Sequence, residues 1–142
     1  MMTRPMTKIL IAFDGSAQSK KAFAFGLEMA EKFSASMTVL SIARPPEPPV
    51  NIELQAVLEN ATEFFQSHFS DMKAQASAKG IQADFEIRVG HPAEQIVHFA
   101  DEGNFDTIVM GHRGGSLLQK WLLGSVAKRV LSYANCTIIV VR

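Results

Sequence analysis

A glycine-rich segment in the last third of the chain has the residue types of a phosphate-binding loop. It follows 107–110, an apolar run typical of a buried strand, and it precedes 126–131, which is predicted to be helical. The segment contains four glycines and a hydroxyl: Gly111, Gly114, Gly115, Gly124 and Ser125. Glycines let the backbone approach a phosphate closely, and the first turn of a helix offers unpaired N–H groups. The segment therefore predicts an anion site, with a nucleotide as the leading ligand class.

The spacing of these residues is not that of either common phosphate motif. A P-loop needs Gly, four residues and then Gly-Lys-Ser/Thr, and the dinucleotide fingerprint needs G-x-G-x-x-G; neither string is present. The spacing found is Gly111-x2-Gly114-x9-Gly124-Ser125. Two simpler interpretations stay open, because the glycines can serve as turn residues and Ser125 can cap the last helix.

This spacing resembles that of the ATP-binding branch of the universal stress protein family. The opening Ile9-Leu-Ile-Ala-Phe-Asp14-Gly15-Ser16 is similar to that family's first strand and turn, and Gly90-His-Pro92-Ala93 is similar to its usual G-x-P-A. The resemblance covers nearly the whole chain, so we expect residues 1–142 to form one universal stress protein domain.

The resemblance implies a ligand and a set of binding residues. The ligand is ATP, which we expect to bind with Mg²⁺. Asp14 would hold the nucleotide or its metal, although it can equally cap the first helix or turn. The resemblance further implies that the phosphates are cradled by Gly111, Arg113, Gly114, Gly115 and Ser116, and that the pocket is completed by Gly124, Ser125 and Val126. It implies that Ala12 and Phe13 line the adenosine and that the backbone of Ile42 reads adenine.

Strand-like and helix-like segments alternate along the chain. Apolar, β-branched runs at 7–13, 37–43, 83–89, 106–110 and 137–141 predict five strands, and the segments between them have helical periodicity. This alternation predicts an α/β fold with an open parallel sheet and helices on both faces. Asp14 and Gly111 each end a strand, so they share a site in the strand order 3-2-1-4-5 but not in 2-1-3-4-5. The resemblance independently implies 3-2-1-4-5, a Rossmann-like fold of the adenine nucleotide alpha hydrolase type.

Composition excludes several partners. The formal net charge is zero, which argues against nucleic acid and anionic membranes as partners. Cys136 is the only cysteine, and the sequence has neither a signal-peptide pattern nor a run of about 18 apolar residues, so we expect a cytoplasmic protein. The four histidines lack the spacing of a metal site. The last strand is apolar on both faces, and as an edge strand it predicts a homodimer.

Three functions remain open from the sequence. The leading one is an ATP-binding regulatory protein of the stress response that presents a nucleotide-dependent surface to a protein partner and hydrolyses ATP slowly at most. The alternative is an enzyme of related fold that hydrolyses nucleotides or transfers adenylyl groups. The sequence lacks the Ser-Gly-Gly-x-Asp-Ser and His-x-Gly-His strings of such enzymes. The third is a binding module for a different ligand.

Overall fold

The computed structural model describes residues 6–45, 54–112 and 123–142. Strands and helices alternate along these ranges: β1 (Lys8–Ala12), α1 (Ala17–Phe33), β2 (Ser36–Ala43), α2 (Leu54–Ala78), β3 (Ala83–Val89), α3 (Pro92–Glu102), β4 (Thr107–Gly111), α4 (Ser125–Tyr133) and β5 (Thr137–Val141). Each strand lies within one or two residues of its predicted bounds. No helix in the described ranges is both long enough and apolar enough to cross a membrane.

The strands form a single parallel sheet with the order β3-β2-β1-β4-β5, which confirms the predicted topology. β1 lies in the centre, where Ile11 is in register with Val39 of β2 and with Val109 of β4. The direction of winding reverses between β1 and β4. In open α/β sheets, ligands bind beyond the carboxyl ends of the strands at such a point.

The sheet is buried on both faces, which explains why the central strands are almost continuously apolar. Ile9 and Ile11 pack with α1 and α2 on one face, whereas Leu10 packs with α3 and α4 on the other. β5 follows the same alternation. Ile139 belongs to the first core and Ile138 to the second, and both are only half-buried because β5 is the sheet edge.

Local sequence signals set the helix ends. Ser16 is the N-cap of α1, and its hydroxyl accepts the Ser19 N–H at 3.1 Å. Gly80 follows α2 with a φ of 69°, a left-handed conformation that glycine adopts without strain. Pro92 stands at the first position of α3, where its missing N–H costs nothing.

A carboxylate joins the amino ends of β1 and β4, at the end of the sheet opposite Gly111. Asp106 Oδ2 accepts the Thr7 N–H at 2.8 Å, the Thr7 hydroxyl at 2.6 Å and the Lys8 N–H at 3.1 Å. Burial alone would raise the pKa of Asp106, but the hydrogen bonds from Thr7, Thr107 and Lys8 outweigh it and lower the pKa below its usual value. The ionised carboxylate therefore stabilises the fold.

Candidate functional site

A cavity of about 480 Å³ lies at the carboxyl ends of β1, β2 and β4, beside the first turns of α3 and α4. Its volume is within the range of small-molecule sites, about 300–1,000 Å³. The lining residues come from segments far apart in sequence: Ala12, Phe13, Asp14, Ser16, Ser19, Leu40, Ile42, Arg44, Phe65, Pro92, Ile96, Met110, Gly111, Gly124, Ser125, Val126 and Ala127. The cavity is therefore a product of the topology.

A second concave surface, with a volume of about 820 Å³, follows the outer side of α2. All of its described lining residues belong to that one helix, and they include the half-exposed Leu58. Polar groups from several elements do not converge there, as they do at the sheet. We therefore place the candidate site at the smaller cavity.

Eight of the residues predicted from the sequence line this cavity: Ala12, Phe13, Asp14, Ile42, Gly111, Gly124, Ser125 and Val126. The other four, Arg113, Gly114, Gly115 and Ser116, lie outside the described residues. The ends of the glycine segment nevertheless meet, because the Gly124 N–H donates to the His112 carbonyl at 3.0 Å. His112 in turn donates its N–H to Val141 of β5 at 2.7 Å. The glycine segment thus leaves and rejoins the described structure at the rim of the cavity.

The chain turns sharply where β1 ends. Asp14 is exposed, and its Oδ1 accepts the Ser16 N–H at 2.9 Å. Asp14 therefore caps the turn through Oδ1, whereas no described residue donates a hydrogen bond to its Oδ2. Phe13 borders the cavity, yet the residue is only 3% exposed. Its ring packs edge-on against Phe65 and His68 of α2, with ring centroids 6.1 and 5.4 Å away. The Phe13 side chain thus belongs mainly to the core.

The main chain of β2 extends past the end of β1. Even-numbered residues of β2 direct their N–H and C=O groups toward β1; thus Ser36 donates to Thr7 at 3.1 Å. Odd-numbered residues face β3. By this alternation the N–H and C=O of Ile42 face the space beyond β1, where no described residue pairs with them. A neighbouring donor and acceptor therefore stand at the cavity wall.

The first turn of α4 forms another wall. Gly124 is the N-cap, with a φ of −65° and no side-chain cap, so the interpretation of Ser125 as the cap is wrong: Ser125 is the first residue of the helix. The first intrahelical bond runs from the Lys128 N–H to the Gly124 carbonyl at 3.0 Å. The N–H groups of Ser125, Val126 and Ala127 precede this bond, and the three residues line the cavity, an arrangement typical of an anion-binding helix terminus.

Gly111 has a packing role that the sequence did not indicate. A Cβ added there would lie 2.8 Å from Gln18 Cβ and 2.9 Å from its carbonyl carbon, so β4 approaches the first turn of α1 too closely for a side chain. Gly111 lines the cavity, but packing alone is enough to require glycine at this position.

Sequence reasoning missed several cavity residues: Ser16, Ser19, Leu40, Arg44, Phe65, Pro92, Ile96, Met110 and Ala127. Leu40 alternates with Ile42 along β2, and Arg44 follows the end of β2 at the same spacing, so the period of a strand could have found both once Ile42 was chosen. Among the described lining residues, Asp14 and Arg44 are the ionisable ones. The described part of the cavity wall thus has one acidic and one positively charged side chain.

Comparison with known proteins gives the family. The model of the universal stress protein family matches residues 6–142. The chain belongs to the universal stress protein family. A universal stress protein of Methanocaldococcus jannaschii, MJ0531, is 33% identical over 139 residues, covering 95% of this chain and 81% of the relative.

Solved structures of universal stress proteins share the fold. UspA from Lactobacillus plantarum superimposes with a TM-score of 0.81 at 25% identity, covering 99% of this chain and all of that one. A universal stress protein in complex with cAMP gives a TM-score of 0.77 at 22% identity, covering 97% of this chain and 98% of that one. The universal stress protein from Archaeoglobus fulgidus in complex with dAMP gives a TM-score of 0.68 at 20% identity, covering 99% of this chain and 100% of that one. Some universal stress proteins of this fold therefore bind nucleotides.

Proposed function

We propose that this protein binds ATP in the cavity at the carboxyl end of its sheet and acts as a nucleotide-dependent regulatory protein. The observation that carries the proposal is the pairing of two complementary surfaces in one cavity. The N–H and C=O of Ile42, with which no described residue pairs, form one of them, and the first turn of α4 forms the other. The first suits the edge of a base and the second suits a phosphate.

Adenine fits the Ile42 main chain. Its N1 accepts a hydrogen bond and its N6 amino group donates one, which complements a backbone N–H beside a C=O. Leu40, Ile96 and Met110 supply apolar wall for the ring. The related structures in complex with cAMP and dAMP hold adenine nucleotides, which supports the same base here.

The first turn of α4 would bind the phosphates. Its free N–H groups and the positive end of the helix dipole favour an anion, and Gly124 brings no side chain between them and the ligand. We propose that Gly111, Arg113, Gly114, Gly115 and Ser116 complete this cradle together with Ser125 and Val126.

Asp14 would hold Mg²⁺ together with the phosphates. Mg²⁺ commonly takes one or two protein carboxylates and keeps phosphate oxygens and water as its other ligands. One carboxylate whose second oxygen has no partner among the described residues therefore fits. A cluster of three metal-ligating side chains, which the described residues do not contain, is not needed. Mg²⁺ would neutralise part of the phosphate charge.

The alternative function, a nucleotide-hydrolysing or adenylyl-transferring enzyme, is less well supported. Among the described cavity residues, Asp14 is the one side chain suited to act as a general base, and its Oδ1 is already bonded to the turn. We therefore expect a turnover number far below the enzyme median of about 10 s⁻¹. Steady-state ATP turnover by a sample free of contaminating ATPases checks this, and a value near that median would favour the enzyme.

We further propose that the regulatory form is a homodimer joined through β5. This strand is the sheet edge next to β4, and its Ile138, Ile139, Val140 and Val141 are half-buried. An apolar edge strand invites pairing with another chain, and a second copy about a two-fold axis is the simplest cover. A regulatory protein partner would then recognise the nucleotide-bound dimer.

Thermal unfolding in the presence of nucleotides tests the proposed function. A ligand at a hundred times its Kd stabilises the protein by about 2.7 kcal/mol. We expect ATP to raise the Tm by several degrees and GTP or CTP to raise it less at the same concentration. An equal effect of all three nucleotides would indicate phosphate binding without base recognition, and no effect of any would contradict the proposal.

A further inference from the structure

A buried hydroxyl lies directly behind the proposed base subsite. Ser41 is 0% exposed, and its Oγ donates to the Phe13 carbonyl at 2.7 Å. Building on the proposed function, we infer that Ser41 is the positioning residue of the base subsite: its hydroxyl occupies the Phe13 carbonyl and thereby keeps the Ile42 N–H free for the base.

The hydrogen-bond pattern at the end of β1 shows what the hydroxyl replaces. The Phe13 N–H donates to the Leu40 carbonyl at 3.0 Å, as the next step of a parallel ladder requires. The same pattern would then have the Ile42 N–H donate to the Phe13 carbonyl. The ladder register instead ends at Ala12 and Leu40, and the Phe13 carbonyl accepts from Ser41 Oγ. The side chain takes the place of one main-chain donor.

Ser41 acts without touching the cavity. Its position on β2 has the same parity as Met37 and Val39, whose side chains pack in the core under α1 and α2, and it is not among the residues that line the cavity. Any effect of Ser41 on the ligand must therefore pass through the main chain of Phe13 and Ile42. This distinguishes a positioning role from direct contact.

Without the Ser41 hydroxyl, the Phe13 carbonyl either loses this donor or accepts a hydrogen bond from another one. A buried carbonyl without a partner is unfavourable, and the nearest main-chain donor by register is the Ile42 N–H. We expect the ladder in Ser41→Ala to extend by one step, so that the Ile42 N–H is consumed. The base subsite would then keep its acceptor and lose its donor.

Amide hydrogen exchange of the ligand-free protein tests the first half of the inference. In the wild type we expect the Ile42 amide to exchange much faster than the Leu40 amide. In Ser41→Ala we expect the Ile42 amide to become protected. An Ile42 amide that is protected in the wild type, or that stays unprotected in Ser41→Ala, would overturn the inference.

Base selectivity tests the second half. Inosine triphosphate differs from ATP at the base edge, because its N1 carries a proton and its 6-position carries an oxygen. By calorimetry we expect Ser41→Ala to bind ATP about tenfold more weakly, the scale of one hydrogen bond. The preference for ATP over inosine triphosphate should shrink by a similar factor. A general structural defect would weaken both nucleotides equally and leave their ratio unchanged, which would also overturn the inference.

Thr107→Val is the matched control. Thr107 is also 0% exposed, and its hydroxyl donates to Asp106 at 3.0 Å at the opposite end of the sheet. We expect it to lose stability comparably while both nucleotide affinities stay unchanged. Ser41→Cys, with nearly the same volume and only a weak donor, gives the same readouts if Ser41→Ala does not fold.

The two proposals fail separately. A wild-type protein that does not bind ATP contradicts the proposed function, while the exchange of Ile42 still decides the role of Ser41. A wild-type protein that binds ATP, with a Ser41→Ala variant of unchanged affinity and selectivity, contradicts only the inference about Ser41.

Discussion

Substitutions of Asp14 can separate an effect on nucleotide binding from an effect on folding, because its two carboxylate oxygens have different contacts. Oδ1 accepts the Ser16 N–H at 2.9 Å and shapes the turn before α1, whereas Oδ2 has no partner among the described residues. Asp14→Asn keeps the acceptor for Ser16 and removes the charge, so we expect the free energy of unfolding to change by less than about 0.5 kcal/mol. Asp14→Ala removes both, and we expect it to cost about 1 kcal/mol, the scale of a lost cap.

The two variants should nevertheless share a binding defect. An exposed carboxylate that contacts Mg²⁺ or ribose contributes about 1.4 kcal/mol, which is about a tenfold change in Kd. Calorimetric titration with ATP and Mg²⁺ should therefore show a similarly raised Kd for ATP in Asp14→Asn and Asp14→Ala. Removal of Mg²⁺ should reduce the difference in Kd between these variants and the wild type. Wild-type affinity for ATP in Asp14→Asn, together with destabilisation of Asp14→Ala, would show that Asp14 only caps the turn and does not contact the nucleotide or its metal.

Three further predictions concern other parts of the molecule. Gly124→Val should reduce the affinity for ATP more than tenfold without unfolding the chain. Valine can adopt the φ of −65° at this position, but its side chain would lie between the ligand and the first turn of α4. Unchanged affinity by calorimetry in a folded variant would exclude the phosphate cradle. The pKa of Asp106 is lower in the folded than in the unfolded protein, so its contribution to stability is present above the unfolded pKa of about 3.8 and is lost as the pH falls through the folded pKa. Asp106→Asn should therefore reduce the fall of Tm at acid pH. An unchanged fall of Tm in this variant would exclude Asp106 as its source. Ile139→Lys should convert a dimer into a monomer in light scattering at micromolar concentration, with circular dichroism confirming the fold; a wild type with the mass of one chain would contradict the β5 interface.

The sequence predicted the architecture because the strands have a strong, simple signal. β1 and β4 are buried on both faces of the sheet, and such strands are continuous apolar runs that any window detects. The hypothesis that Asp14 and Gly111 share one site, together with the resemblance to the universal stress protein family, then favoured the order 3-2-1-4-5, which the structure confirms.

Cavity residues were predicted from the sequence only where the residue type or the resemblance to the universal stress protein family pointed to them. Asp14 and Gly124 stand out from their surroundings, whereas Leu40, Ile96 and Met110 are ordinary apolar residues whose place in the cavity depends on packing between distant segments. The packing role of Gly111 against Gln18 likewise depends on how closely α1 approaches β4.

Helix capping and strand termination were harder to predict than strand identity. Ser125 has a typical capping side chain, yet α4 begins one residue earlier than a Ser125 cap would allow, and Gly124 takes the N-cap position. The hydroxyl of Ser41 is indistinguishable in sequence from any serine in a strand. Its role depends on β1 ending before β2, which only the register reveals.

Titration of isotopically labelled protein with ATP and Mg²⁺, followed by amide resonances, tests the central claim most directly. We expect saturable shifts of the Asp14, Ile42 and Val126 amides, with the amide of Asp84 on β3 unaffected because it lies at the opposite end of the sheet. An absence of shifts at saturating ATP, or shifts confined to the outer side of α2, would contradict it.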